Sequence, residues 1–429
     1  MDYLRGLIGI LLIAAFAFLF SNNRKAIDWK LVGIGISLQI VFGLLITKVA
    51  WVAHLFNGVS GAFVTFLSFS DDGARFLFGD LAGDTFGVIF AFKVLPTIIF
   101  FSTVSAGLYY LGILQKIVFG IAWIMSRTMR LSGSEALSAA GNIFLGQTEA
   151  PLLVRPFVPK MTKSELMCLM TGGMATIAGG VLAGYVAFLG GNDPVMQTKF
   201  AAYLLSASIM NAPAAIVISK IIIPEVEPEK IDRKLKVNQE SLGVNLIDAL
   251  SNGASEGLKL ALNVGGMLLA FIAVIAAINY FLSNVVGDIT GLNAIISSST
   301  DGRFTGFSLE YILGQVFRIF AFVMGVDWNE TLAVGSLLGQ KTVINEFVAY
   351  LGLSEMKTAG LLSPKAIVIS TYALCGFSNF SSIAIQVGGI GGMAPNQQGN
   401  LSKLGMRALL AATLACMMTG TIAGALVVY

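Results

Sequence analysis

The sequence predicts an all-α integral membrane protein: eight transmembrane helices, two opposed re-entrant hairpins in an inverted repeat, and further helices at the membrane interface. Three observations carry that expectation. The 429 residues are 56% hydrophobic and only 12% charged, with a mean hydropathy of +0.81, whereas a soluble chain carries about a quarter charged residues. Apolar runs of about 20 residues, the length that crosses a bilayer, recur along the chain. Two further segments, about 134–160 and 328–350, are apolar enough to enter lipid, yet Gly, Gln and ionisable residues break each in its middle.

The spans read in order as about 3–20, 29–55 and 86–112, the last containing Lys93 and Pro96, then Leu166–Asn192 and Phe200–Ser219. Leu260–Gly287 is the sixth, Ala366–Ser402 holds the seventh with a Gly-rich exit, and Ala408–Tyr429 is the eighth. The first apolar run is followed by Arg24, Lys25 and Lys30 rather than preceded by charge, so it reads as a retained helix and not a cleaved signal. Segments about 57–78, 242–259 and 307–325 mix apolar with polar residues and read as interfacial helices. Pro224–Gln239 reads as a solvated loop.

Orientation follows from where Lys and Arg collect. Arg24, Lys25 and Lys30, Lys160 and Lys163, Lys220 to Lys236, and Lys403 with Arg407 all fall on one side when spans alternate. The opposite loops hold Asp71, Asp72, Asp80, Asp84, Asp193, Asp288 and Asp301. That pattern places both termini outside. Arg127, Arg130, Arg155 and Lys160 flank the first hairpin, which therefore enters from the cytoplasm. Three spans separate it from the second, and an odd number inverts it.

Several classes of function are disfavoured. The formal charge of +3 is small and dispersed, so no nucleic-acid partner is expected. Cys168, Cys375 and Cys416 lie in apolar runs without paired spacing, and His54 is the single histidine, so neither a disulfide framework nor a zinc site is indicated. No HExxH or paired-Asp arrangement falls in the spans, and no enzyme is expected.

Carboxylates in apolar sequence mark function by default. The first hairpin carries Gly146-Gln147-Thr148-Glu149-Ala150-Pro151, and the second carries Gly339-Gln340-Lys341 through Asn345-Glu346. Leu145-Gly146-Gln147 matches Leu338-Gly339-Gln340. Each hairpin precedes an interrupted span, at Gly172 to Gly180 and at Cys375 to Ser382. Hairpin plus broken helix, twice and inverted, is a recurrent transporter design with its site at the repeat interface.

Gln147, Thr148, Glu149, Glu346, Ser378, Asn379, Ser381 and Ser382, with Phe377 and Phe380, suit a neutral substrate rich in donors and acceptors that also offers a face for stacking. A ribose diol would donate to a carboxylate and a base edge would pair with amides; a dicarboxylate would want an Arg that the tips lack. Asn142, Thr176 and freed backbone carbonyls supply oxygens for a monovalent cation. Three competing readings are structural: Thr176 bonding its own helix, Glu149 capping a hairpin arm, and Glu346 paired with Lys341.

The run Gly339 to Tyr350 (GQKTVINEFVAY) closely resembles the GxKxxxNEFVAY-type signature of the concentrative nucleoside transporters. The Gly146–Pro151 tip and Gly376 to Ser382 resemble that family too, specifically its bacterial, eight-span branch. The resemblance implies a homotrimer in the bacterial cytoplasmic (inner) membrane, importing nucleosides such as uridine by an elevator-like movement against lipid. It implies scaffold helices over 1–112, transport-domain halves over 113–222 and 307–392, a loop and scaffold span over 223–306, and a C-terminal span over 393–429. Gln147, Thr148, Glu149 and Val181 would face the base, with Gly146 also at the substrate site; Glu346, Asn379 and Ser382 would bind the ribose, with Phe377 packing near it. Asn142, the Leu145 carbonyl, Thr176 and the Ile177 carbonyl would hold Na+, with Thr176 where the family pattern has Ser. The alternatives are coupling to H+, or an elevator-type carrier for another small polar solute.

Overall fold

The structure, a computed structural model, describes residues 2–83, 89–235 and 243–427. Asp84, Lys236, Gln239, Tyr429 and the starts of the segments expected at 86 and 242 lie outside the described residues. Among those described there is no strand.

Four helices open the chain: α1 (Asp2–Leu19), α2 (Trp29–Lys48), α3 (Ala50–Phe78) and α4 (Phe90–Tyr110). After α5 (Ile113–Met129) comes the first hairpin, with arm α6 (Gly133–Asn142), a turn, and 3-10 segments Ala150–Val154 and Val158–Lys160. The interrupted span comes next as α7 (Lys163–Ala175) and α8 (Gly179–Gly190), then α9 (Pro194–Ile222). The second half repeats this order. It runs α10 (Leu246–Tyr280), α11 (Leu309–Val323), hairpin arms α12 (Thr331–Val343) and α13 (Glu346–Thr358), broken span α14 (Pro364–Leu374) and α15 (Phe380–Met393), and α16 (Gln398–Leu426). The repeat is visible in the closing helices, since α9 and α16 are each 29 residues long.

Local sequence sets these boundaries. Ser132 with Glu135, and Thr162 with Glu165, form reciprocal capping boxes that start α6 and α7, each satisfying two orphan donors. Asp193 before Pro194 starts α9, and Ser363 before Pro364 starts α14, using proline where its missing N–H is harmless. The starts of α6 and α7 and the end of α9 converge on a buried polar knot. Lys220 pairs with Glu135 and donates to Ser164 Oγ at 2.9 Å, while Ser134 donates to Glu165 at 3.0 Å.

Eight helical spans among the described residues, counting the interrupted α7–α8 as one, are long and apolar enough to cross a membrane. The number agrees with expectation but the membership differs. Ala50–Phe78 is a single 29-residue helix, not an interfacial segment beginning near 57, because the second span ends at Lys48 and the chain re-enters helix two residues later. The expected seventh span is divided into α14 and α15, each too short to cross alone. Nor is 242–259 a separate element. It is the first part of α10, which runs unbroken to Tyr280 and continues as a π-helix over Phe281–Gly287. Gly253 and Gly257 explain the continuity: a Cβ on Gly253 would stand 2.6 Å from the Ala106 Cβ, and on Gly257 2.8 Å from the Ile99 Cα. Small residues thus let α10 lie directly on α4.

Burial separates an inner from an outer set. The span containing α7 and α8 is 94% buried and that containing α16 is 89% buried, against 11% for α3 and 17% for α10. The broken span α7–α8 therefore lies inside protein, where irregular backbone at membrane depth is tolerated. In the second broken span α14 is largely buried, while α15 buries only Ser382, Gln386, Ile390 and Gly391.

Candidate functional site

The first hairpin's tip is a turn tied by its own side chain. Leu145 N returns to Gly141 O at 2.9 Å, Glu149 N reaches Gly146 O at 3.1 Å, and Gly146 N donates to Glu149 Oε2 at 3.1 Å. Glu149 therefore does close the hairpin turn, one of its structural readings, and it also faces a cavity. In the second hairpin Asn345 caps α13, accepting from Val348 N at 3.0 Å, so Glu346 stands in that helix's first turn. A carboxylate there meets the positive end of the helix dipole.

Asn379 caps α15 in the same way. Its Oδ1 accepts from Ser382 N (2.9 Å) and Ser381 Oγ (2.7 Å), which turns Nδ2 towards Glu346 Oε2 at 2.9 Å. Tyr185 Oη on α8 donates to Glu346 Oε1 at 3.1 Å and stacks on Tyr350 with ring centroids 4.3 Å apart. The carboxylate is thus held by two donors from two broken helices. Across the cavity Gln147 Nε2 donates to Ser382 Oγ at 3.1 Å, and Gln386 Nε2 reaches Gln147 Oε1 at 3.3 Å. Buried polar groups so partnered form a rigid, preorganised wall.

The cavity measures about 810 Å³, within the range of small-molecule sites. All nine of the substrate residues named from sequence line it: Gly146, Gln147, Thr148, Glu149, Val181, Glu346, Phe377, Asn379 and Ser382. Its opposite wall comes from α4 and α10, with Ser102, Ser105, Asn252, Glu256, Lys259 and Asn263. Sequence reasoning missed this wall. The available signal was the polar stripe Asn252, Glu256, Lys259, Asn263, whose three- and four-residue spacing keeps one helix face.

The cation residues lie behind the tip. Leu145 lines the cavity, while Asn142, Thr176 and Ile177 do not. Asn142 is 1% exposed, and neither its Oδ1 nor its Nδ2 has a hydrogen-bond partner. Leaving a buried polar group unsatisfied costs about 1–3 kcal/mol. Thr176 Oγ1 donates to Gly172 O at 2.9 Å, its own-helix reading, and keeps its lone pairs. The Asn142 amide packs over that same Gly172, where a Cβ would stand 3.0 Å from its nitrogen. Ile177 and Ala178 lie in the break between α7 and α8, outside either helix. An orphaned buried amide beside a hydroxyl and unwound backbone fits a cation that takes oxygen ligands.

Two sequence readings are corrected. Lys341, 1% exposed, donates to the Ala373 carbonyl at 2.9 Å rather than to Glu346. The Leu-Gly-Gln match is not a structural equivalence: Leu145 to Gln147 lies in a tip after α6 has ended, whereas Leu338 to Gln340 lies within α12. Gln340 accordingly reaches back to Ser336 Oγ at 3.3 Å. The repeat resides in the order of elements, and Glu149 and Glu346 occupy the corresponding tips.

Two helical hairpins and two broken helices around one cavity that carries convergent polar groups, in an apolar, multi-pass helical protein, define a membrane transporter of the inverted-repeat kind. Comparison with known proteins narrows the class. Residues 203–424 match the family model described as "Na+ dependent nucleoside transporter C-terminus", residues 8–81 its N-terminus, and residues 91–192 "Nucleoside recognition". The chain belongs to the concentrative nucleoside transporter family, whose members are transporters and not enzymes.

Uncharacterized transporter YutK of Bacillus subtilis is 42% identical, aligned over 99% of both chains. Solute carrier family 28 member 3 of Mus musculus is also 42% identical over 97% of this chain, which spans only 58% of the mouse protein's length. Sodium/nucleoside cotransporter 1 of Rattus norvegicus is 39% identical over 98% of this chain and 63% of its own. The structure of CNTnw in an inward-facing substrate-bound state superposes with a TM-score of 0.87 at 37% identity, covering 99% of this chain and 98% of that one.

Proposed function

We propose that this protein is a sodium-coupled nucleoside symporter that imports nucleosides, uridine among them, across a bacterial cytoplasmic membrane. The observation that carries the reading is Glu346, held by Tyr185 and Asn379 in the wall of the cavity. A carboxylate offers about four acceptor positions; Tyr185 and Asn379 take two of them, and what remains would accept from the sugar hydroxyls. Asn379, Ser382 and Phe377 complete the ribose side. Gln147, Thr148, Glu149 and Val181 form the base side, where amide, hydroxyl and carboxylate match the donors and acceptors of a nucleobase edge.

Sodium would be held by Asn142, Thr176 and the carbonyls of Leu145 and Ile177, and it would supply the positive charge that orders the first hairpin. Leu145 adjoins Gly146 and Gln147, so ordering the ion ligands orders the base side. Each ligand then raises the other's affinity by the same factor. The inner set of hairpins and broken helices would move as the transport domain against α4 and α10 of the scaffold, in an elevator-like step within a homotrimer with external termini. The polar stripe on α10 supports that division, since the cavity lies between the inner and outer sets.

Radiolabelled uridine uptake into vesicles, with imposed sodium or proton gradients, tests the reading. Saturable uptake that requires inward sodium is expected. Sodium-independent uptake that follows a pH gradient would replace the ion assignment, and competition by aspartate or citrate would overturn the substrate.

A further inference from the structure

The two helix breaks meet at one point. Helix α7 ends at Ala175, and α14 ends at Leu374 with Cys375 as its C-cap. Carbonyls at helix C-termini have no intrahelical partner, and inside a membrane protein they need a donor from elsewhere in the fold. Asn211, midway along α9 and 0% exposed, serves both. Its Nδ2 donates to Ala175 O at 2.8 Å and to Cys375 O at 2.6 Å.

The two hydrogens of one amide therefore bridge two chain breaks. Asn211 Oδ1 has no partner, and the flipped amide would set that oxygen against two carbonyl oxygens, so it is the NH2 group that the site uses. Cys416 Sγ on α16 lies 3.4 Å from each of the same two carbonyls. The backbones also touch directly: Phe377 N donates to Thr176 O at 3.3 Å, and a Cβ on Gly376 would stand 2.7 Å from Ala175 O.

The residues just past the two breaks differ in role. Thr176 and Ile177 come immediately after Ala175, on the cation side; Phe377, Asn379 and Ser382 come after Cys375, on the sugar side. Asn211 itself does not line the cavity. We propose that Asn211 is the positioning residue that couples the cation site to the nucleoside site, by clamping the two breaks so that ordering one orders the other. This rests on the sodium and nucleoside reading above. It adds a second route of coupling, distinct from the covalent one through the first hairpin, and one that reaches Asn379 and the ribose.

The test measures uridine affinity of the purified full-length protein in nanodiscs, with and without saturating sodium. It uses wild type, Asn211→Leu, which keeps the size and removes the donors, and Asn211→Ser, which keeps a single donor. The ratio of the two affinities is the coupling factor. Asn211→Leu is expected to reduce that factor about tenfold, a typical size for coupling between sites, with Asn211→Ser intermediate, while uridine affinity without sodium changes less than threefold. An unchanged coupling factor in the variants would overturn the proposal. So would failure of both variants to fold, which would make the residue structural only. A wild type whose uridine affinity ignores sodium would instead overturn the sodium reading on which this rests.

Discussion

Replacing Glu346 by Gln removes one charge and one acceptor while keeping the side chain's shape. The carboxylate accepts from Tyr185 at 3.1 Å and Asn379 at 2.9 Å. Asn379 Nδ2 can only donate, so the glutamine oxygen must stay with it and the new NH2 must turn to Tyr185 or the cavity. The substrate then loses one acceptor, and the other is no longer charged. Hydrogen bonds to charged groups contribute about 1.5–3 kcal/mol and neutral ones about 0.5–1.5 kcal/mol. The net loss is about 2–3 kcal/mol, or roughly 30- to 150-fold in uridine affinity.

Uridine Kd and the KM for uptake both read this loss. Comparing uridine with its 2′- and 3′-deoxy analogues closes a thermodynamic cycle: a penalty for deoxygenation in the wild type should shrink to less than about threefold in the variant. Unchanged uridine affinity, or undiminished discrimination against the deoxy analogues, would refute the ribose assignment.

Other substitutions test other parts of the molecule. Asn142→Leu should move sodium activation of uptake at least about tenfold to higher concentration while leaving thermal stability in sodium-free buffer equal or higher, since replacing an unsatisfied buried amide by an apolar group is neutral or stabilising. Lys220→Met strands the buried Glu135 carboxylate and should destabilise the protein by about 3–5 kcal/mol; the Lys220→Met/Glu135→Gln double variant, which removes the charge but keeps an acceptor for Ser132 N, should recover most of that in thermal unfolding. Gly376→Ala places a Cβ 2.7 Å from Ala175 O and 2.8 Å from Cys416 Sγ, and at least about tenfold lower uptake is expected at equal expression.

The site's residues were legible because lipid-facing sequence makes polar residues conspicuous. Gln147, Glu149, Glu346 and Asn379 interrupt apolar runs, and each lines the cavity. The breaks at Thr176 and Cys375 announced themselves by glycine and small polar neighbours. What was hidden lies on long, regular helices. Asn252, Glu256 and Lys259 share α10 with exposed Leu258 and Leu262, a mixture that reads as an interfacial helix until the partner α4 is seen. Helix α5 went unassigned for a similar reason: only the repeat, which pairs it with α11, shows that a helix belongs before each hairpin. Asn211 is a single amide in a span of small and apolar residues, and its role depends on two carbonyls that lie 36 and 164 residues away in sequence.

The most direct test of sodium-coupled nucleoside transport is its reversal. Proteoliposomes of the purified protein are loaded with uridine and diluted into uridine-free buffer with equal sodium on both sides, and the movement of radioactive sodium is followed. Uridine efflux should drive sodium out against no initial gradient, and an inward sodium gradient should accumulate uridine above its external concentration. Uridine flux in which sodium does not move, at any sodium concentration, would contradict the account.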